Sequence, residues 1–386
     1  MPRLTHCLAL LLAAGAACAT DPDPTDDGGL APPPPGQGVQ FTMTHHIPPG
    51  VEGEWCQFVQ APAAPMWVAR DEVRFTAGSH HFLLYETAYD AIPTATDDGT
   101  PIDTSGVFDC SAGATDGWSI TRLIGGSQNG SGPSILAFPD GVAMPVRAHA
   151  VLLMNAHYLN ASDAPLDPEV RVNLWTRPAA EVTTEGDVLF LYNPIIKVPA
   201  SGDGRARWRC PVHADITIAN LQSHMHRRGV AYEASISGGA PIYATDRWQD
   251  VPVTSFTPGL RVPAGATLDY RCDYHNDEAR TVYQGARSTD EMCMLIGSYY
   301  PADPRTANCL DAAGGLGGEL IGNGAATCAQ TLTCLQGAGD FAAVTDCMDA
   351  ASPTVSRETS ALFNCFANHA DPQAACQAEV AACAAR

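Results

Sequence analysis

The sequence has few basic residues: 21 Lys and Arg stand against 42 Asp and Glu, which gives the 386-residue chain a net charge of −21. Nucleic acids and anionic lipid surfaces are therefore poor partners, because both are bound through cationic faces. Charged residues of either sign make up only 16% of the chain. The acidic residues are scattered rather than blocked, so the simplest interpretation of their excess is solubility.

Internal repeats are absent, and so are apolar runs long enough to span a membrane. The one apolar run near the N-terminus, Cys7–Ala17, is short and follows a basic residue, as in a secretion signal. Small residues lead from it to Cys18, and an acidic, proline-rich stretch follows. Two interpretations stay open: a bacterial lipoprotein signal whose lipidated Cys18 tethers the chain to a membrane, or plain secretion. We predict a signal peptide at 1–18, a disordered linker at 19–38, and an exported protein of the cell envelope or the medium.

Turn-forming residues, in contrast, are abundant. With 35 Gly, 30 Pro and 45% hydrophobic residues, the composition favours short strands over long helices. Alternating apolar and polar stretches, among them a strand predicted from Val73 to Tyr85, continue to about Pro301. The turn-rich segment Pro199–Gly204 marks a boundary between two such regions. The fold class predicted is all-β, with two consecutive antiparallel β-sandwich (jelly-roll-like) domains and a small C-terminal helical, disulfide-rich module.

The 14 cysteines indicate a disulfide framework in an oxidising compartment. Six of them lie in an alanine-rich, helix-forming stretch near the C-terminus: Cys328, Cys334, Cys347, Cys365, Cys376 and Cys383. Cys376 and Cys383 are placed on one helical face and are expected to join neighbouring helices rather than each other. Their pairing stays open, as does metal binding by their thiolates. The predicted domains are two β-sandwiches, an N-terminal one at 39–197 and a C-terminal one at 198–312, and a Cys-rich helical tail at 313–386.

Two histidines are separated by one residue in Ser223-His224-Met225-His226. On a strand, residues i and i+2 face the same side, so the two imidazoles come together and Met225 points away. The segment Asp290-Glu291-Met292-Cys293 opens a later strand. A thioether favours Cu(I) and imidazole serves both copper oxidation states, so Met292 with the two histidines suits a redox-active copper site. For Met292 taken alone, ordinary core packing is the alternative.

Three further histidines form another group. His80 and His81 precede an apolar strand, and His157 lies within a second one. Adjacent residues of a regular strand face opposite ways, so His80 and His81 can bind one metal only where the strand departs from ideal pleating. A bulge permitted by Gly78 would provide that departure.

Together these segments resemble the copper type II, ascorbate-dependent monooxygenases, the family that includes peptidylglycine hydroxylating monooxygenase and dopamine β-monooxygenase. Four segments stand in the order of that family's ligand segments, within about Val39 to Cys309: His80–Leu84, His157-Tyr158, His224–His226 and Asp290–Cys293. The resemblance implies two copper ions per chain and ascorbate as reductant. It implies an enzyme that hydroxylates a C–H bond of a small organic substrate with dioxygen.

The resemblance also assigns roles to residues. It implies an electron-relaying copper held by His80, His81 and His157, and a catalytic copper held by His224, His226 and Met292, where dioxygen and substrate meet. The disulfide bonds that it implies are Cys56–Cys110, Cys210–Cys309 and Cys272–Cys293.

One part of the family's pattern is missing. Where peptide-amidating relatives have an arginine, an asparagine and a tyrosine that grip a peptide carboxylate, this chain has Gln222, Met294 and Ile296. A peptide ending in glycine is therefore a disfavoured substrate. Two other hypotheses stand beside the monooxygenase: a non-catalytic copper-binding surface protein, and a disulfide-rich structural protein whose histidines are incidental. Copper analysis of the purified protein identifies the structural protein, a broad screen for products separates the other two hypotheses, and the oligomeric state is left open.

Overall fold

The computed structural model describes residues 29–130 and 134–386, so the predicted signal and Cys18 lie outside the described residues. The chain is mostly β, with several sheets and a helical, disulfide-rich C-terminal region, as predicted. The jelly-roll arrangement of two domains stays a prediction. No helix in the described part of the chain has the length and apolar character needed to cross a membrane.

In the described residues, ten strands precede Asp187 and form two five-stranded sheets. They are β1 (Gly38–Thr44), β2 (Glu52–Gln60), β3 (Met66–Phe75), β4 (Ser79–Thr87), β5 (Phe108–Asp109), β6 (Ile120–Ser127), β7 (Val142–Val146), β8 (Val151–Leu159), β9 (Glu169–Thr176) and β10 (Thr184–Glu185). The sheet orders are β1-β9-β3-β7-β10 and β5-β2-β8-β4-β6, and neighbours are antiparallel except β7 and β10. Alternate residues such as Phe82 and Leu84 enter one apolar core. We call these sheets the first sheet pair.

The strands from Asp187 onward form a four-stranded and a five-stranded sheet, which we call the second sheet pair, and a separate two-stranded sheet. They are β11 (Asp187–Tyr192), β12 (Lys197–Val198), β13 (Gly202–Pro211), β14 (Ile216–Met225), β15 (Gly229–Ile236), β16 (Pro241–Thr245), β17 (Thr254–Val262), β18 (Thr267–Asn276), β19 (Val282–Tyr283), β20 (Cys293–Tyr300) and β21 (Glu319–Leu320). The orders are β11-β20-β14-β17 and β16-β15-β18-β13-β21, and β12 pairs with β19. Leu189 and Leu191 lie in the second core, so β11 belongs here although it precedes the division expected at residue 197.

A short helix, α1, spans Pro304–Ala307. The helices after it build the C-terminal module. They are α2 (Cys328–Gly337), α3 (Phe341–Ala350), α4 (Ser356–Asn368), α5 (Pro372–Ala375) and α6 (Gln377–Ala384). The module's disulfide bonds are Cys328–Cys383, Cys334–Cys347 and Cys365–Cys376. Cys376 lies between α5 and α6 rather than on one helix with Cys383, but each joins a different partner, as expected. Because all six cysteines are oxidised, none offers a thiolate to a metal.

Three more disulfide bonds lie in the sheets: Cys56–Cys110, Cys210–Cys309 and Cys272–Cys293. They are the pairs that the resemblance implies. The two sheet pairs also share apolar contacts, because Val188, Met294 and Ile296 pack in the first core. The Ser298 hydroxyl, which donates to the Ile135 carbonyl at 3.0 Å, adds a polar link across the same interface.

Part of the range predicted as a linker packs against the first sheet pair. Leu30 is buried, and its carbonyl accepts a hydrogen bond from Gln40 Nε2 at 2.9 Å. The Ala31 carbonyl accepts another from Asn173 at 2.8 Å. Because their carbonyl groups are paired with side chains of β1 and β9, these residues of the range 19–38 are packed rather than disordered.

Candidate metal centres

A bulge in β4 brings His80 and His81 to the same side of the first sheet pair. β4 pairs with β8 as Ser79↔Tyr158 and then as His81↔His157, so His80 is an extra residue with no partner on β8. Gly78, at a φ of 93°, turns the chain just before it. The departure from ideal pleating that the sequence predicts is thus confirmed.

The first cluster consists of His80, His81 and His157, whose ring nitrogens lie within 4.8 Å of one another. The Nδ1 atoms of His80 and His81 are 3.2 Å apart. His157 Nε2 lies 3.0 Å from Glu52 Oε1, and its Nδ1 is buried without a hydrogen-bond partner among the described residues. Since Nε2–H donates to the carboxylate, Nδ1 keeps its lone pair. The cluster therefore offers three imidazoles in one small volume, as a metal ion requires.

Burial keeps the imidazoles of His80 and His81 neutral. It lowers the pKa of His80 to about 4 and the pKa of His81 well below its usual range, because an imidazolium loses hydration inside the protein. The hydrogen bond from His157 lowers the pKa of Glu52 to about 2, so this carboxylate stays charged. An imidazole backed by a carboxylate, as in His157 with Glu52, is the arrangement that metal-binding histidines use.

His224 and His226 lie together where β14 ends, with ring centroids 5.2 Å apart. Met225 faces the opposite way, into the second core. Gln128, from the first sheet pair, donates from Nε2 to the Ser223 carbonyl at 2.7 Å, and this orients its Oε1 toward His224 Nδ1 at 2.6 Å. His224 therefore donates from Nδ1 and keeps a lone pair on Nε2.

His226 is held in the same tautomer. Its Nδ1 donates to the Asp290 carbonyl at 3.0 Å, and its Nε2 is buried without a partner among the described residues. The fully buried Glu291 accepts from the backbone N–H groups of His226 at 3.1 Å and Arg228 at 3.0 Å. Burial lowers the pKa of His226 to about 4 and the pKa of His224 well below its usual range. Both rings are therefore neutral, with a fixed orientation.

The strand register places Met292 beside this histidine pair. β14 and β20 pair with His224 opposite Met294, and the same register continued by two residues puts Met292 opposite His226. Opposed residues on antiparallel strands share a face of the sheet, so both thioethers lie on the side of the histidines. We call His224, His226 and Met292 the second cluster. Met292 is the sulfur ligand predicted from the sequence, and Met294 is a second sulfur on the same face.

The two clusters meet at the interface between the sheet pairs. The ring centroids of His81 and His224 are 5.7 Å apart, within the range of aromatic contact. The indole of Trp248, from the second sheet pair, stacks on His80 with centroids 6.5 Å apart. One histidine of each group therefore contacts the other group.

A cavity of about 620 Å³ opens beside both clusters and is lined by His81, His224 and Met292. Its apolar walls include Phe190 and Ile296. Glu54 and Asp116 are the charged side chains on its lining, and no lysine or arginine of the described residues joins them. The cavity is of the size that small ligands occupy, and the described part of its lining has acidic side chains without basic ones.

Glu54 and Asn155 form an acceptor-rich part of the cavity wall. Glu54, only 6% exposed, accepts from Asn155 Nδ2 through Oε2 at 3.0 Å. The amide oxygen of Asn155 is buried without a partner among the described residues. Buried acceptors of this kind are satisfied by a donor group on a bound molecule or by water.

The donor set fits copper. Imidazole nitrogens with a thioether are ligands that serve both Cu(I) and Cu(II). The unpaired, buried ring nitrogens of His157 and His226 are the atoms that a bound ion would satisfy.

Sequence reasoning missed Glu52, Glu54 and Gln128. Glu52 and Glu54 alternate on β2 and so share one face, but their pairing with β8 was needed to place them near His157. Gln128 follows β6 at a position without any local signal.

No curated protein matches the chain. A solved structure of infectious bursal disease virus Gx strain shares 10% identity over 68% of this chain and 71% of that chain, with a TM-score of 0.15, and carries no argument. The informative match is to a protein family, and it covers the strands that hold the second cluster. Residues 206–314 match the model of the copper type II ascorbate-dependent monooxygenase, C-terminal domain.

Proposed function

We propose that this protein is a copper-dependent monooxygenase that uses ascorbate or another one-electron reductant. The single observation that carries the proposal is the meeting of five histidines and a methionine at one interface beside a cavity. The family match over residues 206–314 supports it, because His224, His226 and Met292 lie within that range.

Two copper ions per chain are proposed. His80, His81 and His157 would hold one, and His224, His226 and Met292 the other. Bound copper would supply one-electron transfer and activation of dioxygen, so that one oxygen atom enters a substrate C–H bond and the other leaves as water with two electrons and two protons.

The protein's own contribution is orientation and exclusion of water. Glu52, Gln128 and the Asp290 carbonyl each fix one imidazole so that the opposite ring nitrogen stays free. The contact between His81 and His224 keeps the two clusters close, which shortens the distance that an electron has to cross. The adjoining cavity would hold the substrate.

The substrate is proposed to be a small organic molecule that is neutral or cationic. The cavity has carboxylates and no basic side chain among the described residues, so an anionic substrate would be repelled. Gln222, Met294 and Ile296 stand where peptide-amidating relatives bind a carboxylate, and none of the three carries a charge. A hydrogen-bond donor on the substrate would match the acceptors of Glu54 and Asn155.

The enzyme is also proposed to be exported to an oxidising compartment. The six disulfide bonds of the described residues accord with it. Tethering through a lipidated Cys18 is the more specific form of this proposal.

Purified protein reconstituted with copper is expected to bind two ions per chain and to consume oxygen with ascorbate in the presence of a substrate. The measurements are copper content, oxygen uptake and an untargeted screen for hydroxylated products. Tight binding of copper without any product would favour the non-catalytic copper-binding protein. Negligible copper after reconstitution would contradict both and favour the structural protein.

Glu54→Gln is expected to raise the KM of an amine-bearing substrate about ten-fold relative to a neutral analogue with the same carbon skeleton, because a hydrogen bond to a charged group is lost. Steady-state rates on the matched pair measure this effect. Asp116→Asn is the matched control, since Asp116 lines the same cavity but is exposed. Equal KM changes for both substrates would show that Glu54 does not sense substrate charge.

A further inference from the structure

The C-terminal module, residues 313–386, docks on the second sheet pair. β21 extends one sheet by pairing with β13, and Met348 and Phe363 lie in the second core. Asn323 donates from Nδ2 to the Arg205 carbonyl at 2.7 Å. Nearly all of the module lies beyond the matched residues 206–314, so the family match assigns it no role.

Asp346 on α3 is the point where the module reaches the segment that leads to the second cluster. Its carboxylate accepts from the Tyr283 hydroxyl at 3.0 Å and lies 2.8 Å from Lys197 Nζ. Tyr283 and Lys197 are paired residues of the small sheet formed by β12 and β19. One carboxylate therefore ties α3 to both strands of that sheet.

From Tyr283, two hydrogen bonds lead to His226. The backbone N–H of Glu291 donates to the Tyr283 carbonyl at 3.0 Å, and the Glu291 carboxylate accepts from the His226 N–H at 3.1 Å. Asp290, whose carbonyl orients the His226 ring, and Met292 flank Glu291 in sequence. The position of β19 thus constrains the backbone, the ring orientation and the sulfur of the second cluster together.

We propose that the C-terminal module is a positioning element for the second cluster, acting through Asp346 and Tyr283 on residues 284–292. The inference rests on the proposed copper role of that cluster, but its mechanical part concerns the metal-free protein. Asp346 and Tyr283 are positioning residues, because they act on the cluster through Glu291.

The mechanical part is tested by amide hydrogen exchange of the metal-free protein. Tyr283→Phe, which removes only the hydroxyl, and Asp346→Ala are expected to speed exchange of the His226 and Glu291 amides about five- to ten-fold, with the first sheet pair unchanged. Asp346→Asn keeps an acceptor for the Tyr283 hydroxyl, so exchange of these amides is expected to stay as slow as in the wild-type protein. Asp349→Ala is the matched control, because Asp349 lies one turn along α3 and bonds Asn323 instead.

The functional part is tested with Cu(I) alone, by competition against a chromophoric chelator. Tyr283→Phe is expected to weaken Cu(I) binding at the second cluster about ten-fold, as for loss of an outer contact to a metal ligand. The copper–sulfur signal in X-ray absorption marks that cluster, and the first cluster should keep its affinity.

A merely stabilising module would lower the melting temperature in Asp346→Ala and Asp349→Ala alike and leave both exchange at His226 and Cu(I) affinity unchanged. That result overturns the proposal. If the wild-type protein takes up no copper at the second cluster, the proposed function fails, whereas faster exchange in Tyr283→Phe would still support the positioning role.

Discussion

Met292→Ala is expected to lower product formation by more than about 100-fold while copper stays bound at the first cluster. Met292 is the proposed soft ligand of the second cluster, and a thioether stabilises the reduced ion. Loss of a ligand should lower activity by more than the 10- to 100-fold that follows loss of an outer contact to a ligand. Ascorbate-dependent oxygen uptake and product formation, on a substrate found by the screen, measure the loss, and the copper–sulfur signal in X-ray absorption should vanish with it.

Met294→Ala is the matched control for this substitution. Met294 lies on the same face, opposite His224, but it is 4% exposed and packs in the apolar interface between the sheet pairs. Its truncation is expected to cost roughly 2–5 kcal/mol of stability and to leave the copper–sulfur signal intact. Loss of that signal in Met294→Ala but not in Met292→Ala would make Met294 the ligand. An unchanged signal in both would remove the thioether from the site.

The features that could be predicted from the sequence are local ones. His224 and His226 share a face because the period of two along a strand needs no knowledge of the neighbouring strands. The bulge at His80 was predicted for a similar reason: two adjacent histidines cannot both face one metal on a regular strand, and Gly78 permits the distortion.

The strand predicted from Val73 to Tyr85 shows where the same argument fails. β3 ends at Phe75 and β4 begins at Ser79, because the chain turns between them, with the Ser79 N–H donating to the Thr76 carbonyl at 3.3 Å. Gly78 takes a positive φ in this turn. The apolar pattern continues on both sides of the turn, so periodicity alone could not reveal the break.

The arrangement of the site depends on which strands become neighbours, and no local pattern carries that information. Gln128 reaches His224 from the other sheet pair, 96 residues away in sequence. Glu52 reaches His157 only because β2 and β8 are paired. The contact between His81 and His224 likewise requires the two sheet pairs to dock, so the closeness of the clusters could not be foreseen from their motifs.

Removing the Cys210–Cys309 disulfide bond with two alanines is expected to cause the largest stability loss among the six bonds described. The two cysteines are 99 residues apart, and the loop that they close contains His224, His226 and Met292. In the chain-entropy model such a bond contributes about 4.7 kcal/mol, a large part of the roughly 5–15 kcal/mol that stabilises a domain. Denaturant unfolding, with copper content followed in parallel, measures the loss.

The matched control is removal of Cys365–Cys376, whose residues are 11 apart and lie outside that loop. The same relation gives about 2.8 kcal/mol for it. Because the Cys272–Cys293 bond lies inside the larger loop and already shortens its free chain by 21 residues, the effect of Cys210–Cys309 should fall slightly below the simple value. In the protein without the Cys210–Cys309 bond, copper should leave the second cluster at a lower denaturant concentration than it leaves the first cluster. Equal losses from both removals would mean that packing of the second core, rather than this covalent link, holds the second cluster together.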